Sequence, residues 1–155
     1  MKIDGIAGEA NVPGFVGEVE LLSFSWGERQ VSGAAQALGT SKVSMQDLNC
    51  VKRTDKSSPD LFIACATGRH IKEAVISVAR VVNSQPVVFQ KVTFTDIVIS
   101  SYNLSGGGTG SDPNPMEEVS INFTKVQMTY TAQLPGGGPD TPITRTFDLK
   151  ANKPN

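Results

Sequence analysis

His70 is the only imidazole of the chain, and Cys50 and Cys65 are its only thiols. An imidazole beside a serine or cysteine nucleophile would make an acyl-transfer centre. No GxSxG elbow or comparable nucleophile turn accompanies His70. It follows a predicted helix end instead, where a cationic side chain complements the negative end of the helix dipole. The two cysteines form no CxxC pair, and two cysteines make no disulfide framework. They read as free thiols acting as small hydrophobes, with a bridge to each other or to another chain as the alternative. Zinc would need several converging histidine, cysteine or carboxylate ligands, and one histidine does not supply them. Glycine tracts at 106–110 and 136–138 suggest phosphate loops at first sight. Neither is followed by a lysine, a hydroxyl residue and a helix, so the donors that cradle phosphate are missing, and both read as hairpin loops. The expectation is a protein that is not an enzyme and holds no cofactor and no metal.

What must position any functional surface is a set of strands. The chain carries 16 Val, 9 Ile and 12 Thr against 8 Leu, and β-branched side chains pack well on a pleated surface. Strands are predicted over 2–7, 16–26, 42–52, 73–82, 87–102, 117–133 and 141–149. In the second, Leu22, Phe24 and Trp26 share one face, while Ser23 and Ser25 share the other. In the third, Val43 and Met45 alternate with Ser44 and Gln46. Within 117–133 the apolar positions change parity near Thr124 and Lys125, which predicts a bulge or a strand leaving one sheet for another.

One helix interrupts the strands. Ser58 is the expected N-cap, Pro59 suits N1, Asp60 suits the positive dipole end, and Gly68 suits the left-handed position past the last turn. A helix over about 59–67 is too short to stand alone, so it must dock, with Leu61, Phe62 and Cys65 expected inside. Residues 27–41 follow neither period. Their apolar members Val31, Ala34, Ala35, Ala37 and Leu38 are numerous for a solvated linker, so the segment reads equally as an interaction arm or a floppy loop.

The length of 155 residues argues for one domain over 1–150, with 151–155 a flexible tail. A net charge of -1 gives no basic field for nucleic acid. No apolar run approaches the length of a membrane span, and the start lacks the apolar core of a Sec signal.

Four stretches, taken in order, carry a resemblance. They are the run 23–27 (SFSWG), the strand 42–48 (KVSMQDL), the segment 55–68 (DKSSPDLFIACATG) and the pair of runs 119–123 and 126–130 (VSINF, VQMTY). Together they resemble the hemolysin-coregulated protein (Hcp) family of bacterial type VI secretion systems, over nearly the whole chain. The resemblance implies a phage-tail-tube-like β-barrel, or two packed antiparallel sheets, with one short helix. It further implies homo-hexameric rings that stack into an inner tube, capped by a VgrG-type spike and propelled by a contractile sheath. Such rings would carry small secreted effectors in the lumen. The chain would be made in the cytoplasm and exported by that machine without a signal peptide. On this view Ser23, Ser25, Ser44 and Gln46 are the candidate lumen and cargo residues, and the 27–41 arm reaches a neighbouring subunit or ring. A tail-tube subunit of another contractile injection system and a small-ligand-binding β-barrel are the alternatives.

Overall fold

The computed structural model describes residues 1–30, 43–106, 114–134 and 136–154. The branched residues form strands as expected: β1 (Lys2–Ile3), β2 (Ser23–Ser25), β3 (Glu28–Gln30), β4 (Val43–Met45) and β5 (Leu48–Arg53) precede the helix α1 (Ser58–Thr67). After it come β6 (His70–Val82), β7 (Gln85–Ser105), β8 (Met116–Asn122), β9 (Lys125–Tyr130), β10 (Ile143–Asp148) and β11 (Lys153–Pro154). Nine strands make one antiparallel sheet, curled into a half-barrel, and β3 with β4 makes a separate two-stranded ladder.

The 21-residue β7 is the spine. On one side it pairs with β6 through a hairpin whose two turn residues, Asn83 and Ser84, both have positive φ, the backbone of a twist-compatible two-residue turn. Its other side is shared. Residues 90–95 pair with β9, which leads to β10 and β11, and residues 98–105 pair with β8, which leads to β5 and β2. The strand expected over 117–133 is therefore two strands, broken at Phe123 and Thr124 where the predicted change of parity lies. Asp96, at φ 52, marks the same break on β7.

The core lies on one face of this sheet. Along β7 it takes Val92 and Phe94, then Ile97 and Ile99, then half of Tyr102. Parity changes once at Asp96 and again at the irregularity between Ile99 and Ser101. Without that second offset Ser101 would point into the core, and Tyr102 would point to water. Leu48, Cys50, Val119, Ile121 and Val126 complete the face, and Phe94 and Phe123 stack edge to face at 4.8 Å.

Helix α1 docks on this face through Leu61 and Ala64, both fully buried. Gly68 takes the left-handed conformation that ends it (φ 61), and the Arg69 amide donates to the Ala64 carbonyl at 3.0 Å. Three expectations need correction. Ser57, not Ser58, occupies the N-cap, and it makes no side-chain cap. Phe62 is 53% exposed because a ten-residue helix docks by one narrow stripe, leaving Phe62 only an edge contact with Tyr102. His70 is not a dipole partner either. It begins β6, and its ring turns to Asp96.

The N-terminal region also differs from expectation. Only residues 23–25 of the expected 16–26 strand pair with β5, and Leu22 and Phe24 are exposed rather than in the core. The chain before them is a loop pressed onto itself. Gly8 lies so close to the Glu18 backbone that a Cβ there would sit 2.2 Å from the Glu18 carbonyl oxygen. The Met1 amine donates to the Val19 carbonyl at 2.5 Å, fastening the chain start into the core. In the expected 27–41 loop, residues 28–30 pair with β4 as β3. Val31, Ala34, Ala35, Ala37 and Leu38 lie outside the described residues. At the other end Lys153–Pro154 pairs with β10.

Candidate functional site

Because side chains alternate along a strand, the face opposite the core carries every second residue of each long strand. Hydroxyl and amide groups predominate on it, with Val51, Glu118, Lys91 and Lys125 set among them. Across four strands the register aligns Ser25, Asn49, Ser120 and Ser101. Ser101 Oγ donates to Ser120 Oγ at 2.8 Å, and Ser120 Oγ donates to Asn49 Oδ1 at 2.7 Å. At one end of this row Asp47 accepts from Asn122 Nδ2 at 2.8 Å and from Ser100 Oγ. On the β9 side of the break the same face continues through Thr93, Gln127 and Thr146, then Lys91, Thr129 and Thr144. Gln127 Nε2 donates to Thr146 Oγ1 at 3.0 Å, and the Thr129 and Thr144 hydroxyls lie 2.9 Å apart. Short neutral groups that hydrogen-bond sideways stay flat against the sheet and keep spare lone pairs for a partner.

The four candidate lumen residues divide between two ladders. Ser23 and Ser25 are exposed on β2, beside Val51 and Asn49 of β5. Ser44 is on β4 opposite Arg29, and Gln46 follows that strand, with its backbone N–H donating to the Gly27 carbonyl at 2.9 Å. Two thus stand on the large sheet, one on the β3–β4 ladder, and Gln46 just beyond it. Asn49, Ser101, Ser120, Gln127, Thr129 and Thr144 extend the polar face, and sequence reasoning passed over them. Their signal was the same alternation that singled out Ser23 and Ser25.

On the core side lies a polar knot that sequence reasoning missed. Lys52, only 1% exposed, donates from Nζ to Glu117 Oε2 at 2.7 Å and to Ser58 Oγ at 3.1 Å, and it lies 2.9 Å from Asp55 Oδ1. Tyr102 OH donates to Glu117 Oε1 at 2.9 Å. Ser58 also accepts from the Asp55 amide at 3.0 Å, so its hydroxyl ties the helix to the sheet instead of capping it. Burial by itself would raise the Glu117 carboxyl. Hydrogen bonds from Lys52, Ser58 and Tyr102 outweigh it and hold the group below its usual range. Burial and then the bond to Glu117 push the Tyr102 hydroxyl up to about 12. These groups lock one another and leave no lone partner for a substrate, so the knot is structural.

The candidate chemical residues give no catalytic set. Burial pushes the Cys50 thiol up to about 12, which keeps it protonated and unreactive. Both cysteines are free thiols. His70 Nδ1 lies 3.0 Å from Asp96 Oδ1, and among the described residues no hydroxyl or thiol hydrogen-bonds its ring. Among those residues no three histidine, cysteine or carboxylate groups converge as a metal site. Among the described residues no helix is long and apolar enough to cross a membrane.

Comparison with known proteins agrees with this picture. The family model described as the type VI secretion system effector Hcp matches residues 1–130. Protein hcp1 of Pseudomonas aeruginosa is 31% identical, over 98% of this chain and 94% of the relative. Among solved structures, Hcp1 from Salmonella typhimurium is 34% identical with a TM-score of 0.81, covering 99% of this chain and 95% of that one. A type six secretion system protein superposes with a TM-score of 0.88 at 26% identity, over 99% and 96% of the two chains. A type VI secretion system effector from Yersinia pestis gives 0.76 at 28% identity, over 95% and 96%. Sequence match, length and fold coincide, and the chain belongs to the Hcp family of type VI secretion systems.

Proposed function

We propose that residues 1–150 act as one unit that closes, with five further copies, into a ring, and that rings stack into the inner tube of a type VI machine. A VgrG-type spike would cap the tube and a contractile sheath would drive it. The chain is made in the cytoplasm and leaves through that machine, carrying small effectors in the ring lumen. It acts as a structural and carrier protein rather than an enzyme.

The observation that carries this reading is the predominantly polar face of the nine-stranded sheet, rich in hydroxyl and amide groups from Ser25 on β2 to Thr144 on β10. A face this regular and this polar is unsuited to a core. Repeated around a ring, it would line a water-filled channel with weak hydrogen-bonding groups, and repetition multiplies weak contacts through effective concentration. Ser23 and Ser25 stand on that face, and Ser44 and Gln46 extend the candidate cargo surface onto the β3–β4 ladder. The arm carrying Val31, Ala34, Ala35, Ala37 and Leu38 is assigned to a neighbouring subunit or ring on sequence grounds. A net charge of -1 lets identical rings approach without strong repulsion.

The test of the cargo assignment is Ser25→Glu, which would place a charge on every copy of the channel wall. The variant should still form rings in negative-stain images and lose co-purification of the cognate effector. Unchanged effector recovery on intact rings would move cargo binding off this face.

A further inference from the structure

The hydroxyl row shared by β7 and β8 owes its aim to one extra residue. Val98 and Ile99 stand opposite Asn122 and Ile121, and Ser101, not Ser100, stands opposite Ser120. Ser100 is thus the inserted residue of a bulge, which re-aims every side chain after it. Locally the two serines are interchangeable. Without the bulge Ser100 would stand opposite Ser120 and offer the same hydroxyl. The penalty falls one residue later, where Ser101 would enter the core and Tyr102 would lose its bond to Glu117. A slip of one residue reverses every later side chain, so the Ser-Ser pair leaves two registers open at this point.

Asp47 tells the two serines apart. It lies just before β5 and is half-buried. Its Oδ2 accepts from Ser100 Oγ at 2.5 Å, and its Oδ1 accepts from Asn122 Nδ2 at 2.8 Å. Bonds from a hydroxyl to an ionised carboxylate are short and strong. The main-chain carbonyl of Asp47 accepts from Asn49 Nδ2 at 3.2 Å. Asn49 in turn accepts from Ser120, and Ser120 accepts from Ser101. The neighbouring serines therefore join opposite ends of one circuit. Ser100 reaches the carboxylate of Asp47, and Ser101 reaches its carbonyl through Ser120 and Asn49. A hydroxyl has one proton to give, so Ser100 cannot replace Ser101 in the row without releasing the carboxylate.

We propose that Asp47 is the positioning residue of the polar face. Its carboxylate holds Ser100 out of the ladder, which keeps Ser101 and Asn103 on that face and Tyr102 in the core. It acts through Ser100 and through the register of β7 against β8. Its consequence for cargo rests on the carrier reading given above, whereas its consequence for register does not.

The probe is a maleimide applied to the full-length chain carrying Ser101→Cys. Cys65→Ser removes the half-buried thiol, and the buried Cys50 stays as a folding control. Position 101 should label while Cys50 does not. Adding Asp47→Ala or Ser100→Ala should slow labelling by about tenfold, because the slipped register turns position 101 into the core. Deleting Ser100 from the Asp47→Ala chain should restore it, since regular alternation then aims position 101 outward with no bulge to hold. A residue that merely stabilised the fold would not be rescued by removing a neighbour. If Asp47→Ala fails to fold, Cys50 labels, and Ser100→Ala, which keeps the carboxylate, carries the test. Labelling indifferent to both substitutions overturns the proposal, and so does slowed labelling that the deletion does not restore. Recovery of the cognate effector should follow the labelling across these chains. Labelling that behaves as expected while effector recovery stays constant supports the role of Asp47 and overturns the carrier reading.

Discussion

Glu117 and Asp96 each accept from a lysine ammonium, at 2.7 and 2.8 Å, and each takes at least one further partner. The first pair is sealed, with side chains at 1% and 0% exposure. The second is open, with Lys150 and Asp96 at 72% and 35%. Hydrogen bonds from Lys150 and then His70 hold the Asp96 carboxyl at about 2, although water reaches the cluster. Nearly equal distances therefore conceal different physics. Removing one partner of a buried pair strands a charge in a low-dielectric interior, whereas an exposed pair is replaced by water and screened by salt. The buried knot fixes α1 on the sheet. The exposed cluster ties the kink of β7 to the start of β6 and to the turn after β10.

Breaking the comparison on its buried side should give the largest effect. Glu117→Ala takes from Lys52 its fully buried carboxylate partner, leaving only the less buried Asp55, and should cost about 3–5 kcal/mol of unfolding free energy, read from urea or guanidinium midpoints. Leu61→Ala removes the fully buried apolar anchor beside the knot and should cost about 2–5 kcal/mol by the same measurement. The two should not add, because both loosen the same helix.

Acid sharpens the contrast. Glu117 and Asp55 have lowered folded values, so the stability they contribute is present above their unfolded values near pH 4 and is lost as pH falls through the folded ones. Glu117→Gln should flatten part of that acid limb even in high salt. Asp96→Asn should flatten a part that salt already suppresses. An acid limb equally sensitive to salt in both variants would contradict the division between buried and exposed pairs. The smallest effect is expected at the outermost group: His70→Gln should leave the thermal midpoint and secretion unchanged. Loss of secretion from intact rings would give His70 a role that its geometry does not suggest.

Both clusters also mark where sequence reading reached its limit. Fold class, the helix with its Gly68 end and the break near Thr124 were legible because each has a local cause: β-branched content, an αL glycine and a change of parity. The knot had a local sign as well, since Lys52 shares parity with Leu48 and Cys50, and Glu117 shares it with Val119 and Ile121. Charges at core positions in two separate strands pair only if those strands adjoin. That adjacency of β5 and β8 is tertiary. Phe62 was misplaced for a similar reason, because an apolar stripe on a short helix does not reveal how much of it the sheet covers. Leu22 and Phe24 alternate as core residues do, yet β2 ends the sheet among the described residues and both side chains stay exposed. The polar face was partly legible in Ser23 and Ser25. Its extent depended on two offsets in β7, at Asp96 and Ser100, that no period in the sequence announces.

Native mass spectrometry of the full-length chain at micromolar concentration is the most direct measurement of the central claim. A closed ring with the polar face inward requires a dominant species of six chains, each of 16.5 kDa, with no ladder of intermediate sizes, because heterologous contacts that close leave no free end. A dominant monomer or dimer under those conditions would contradict it.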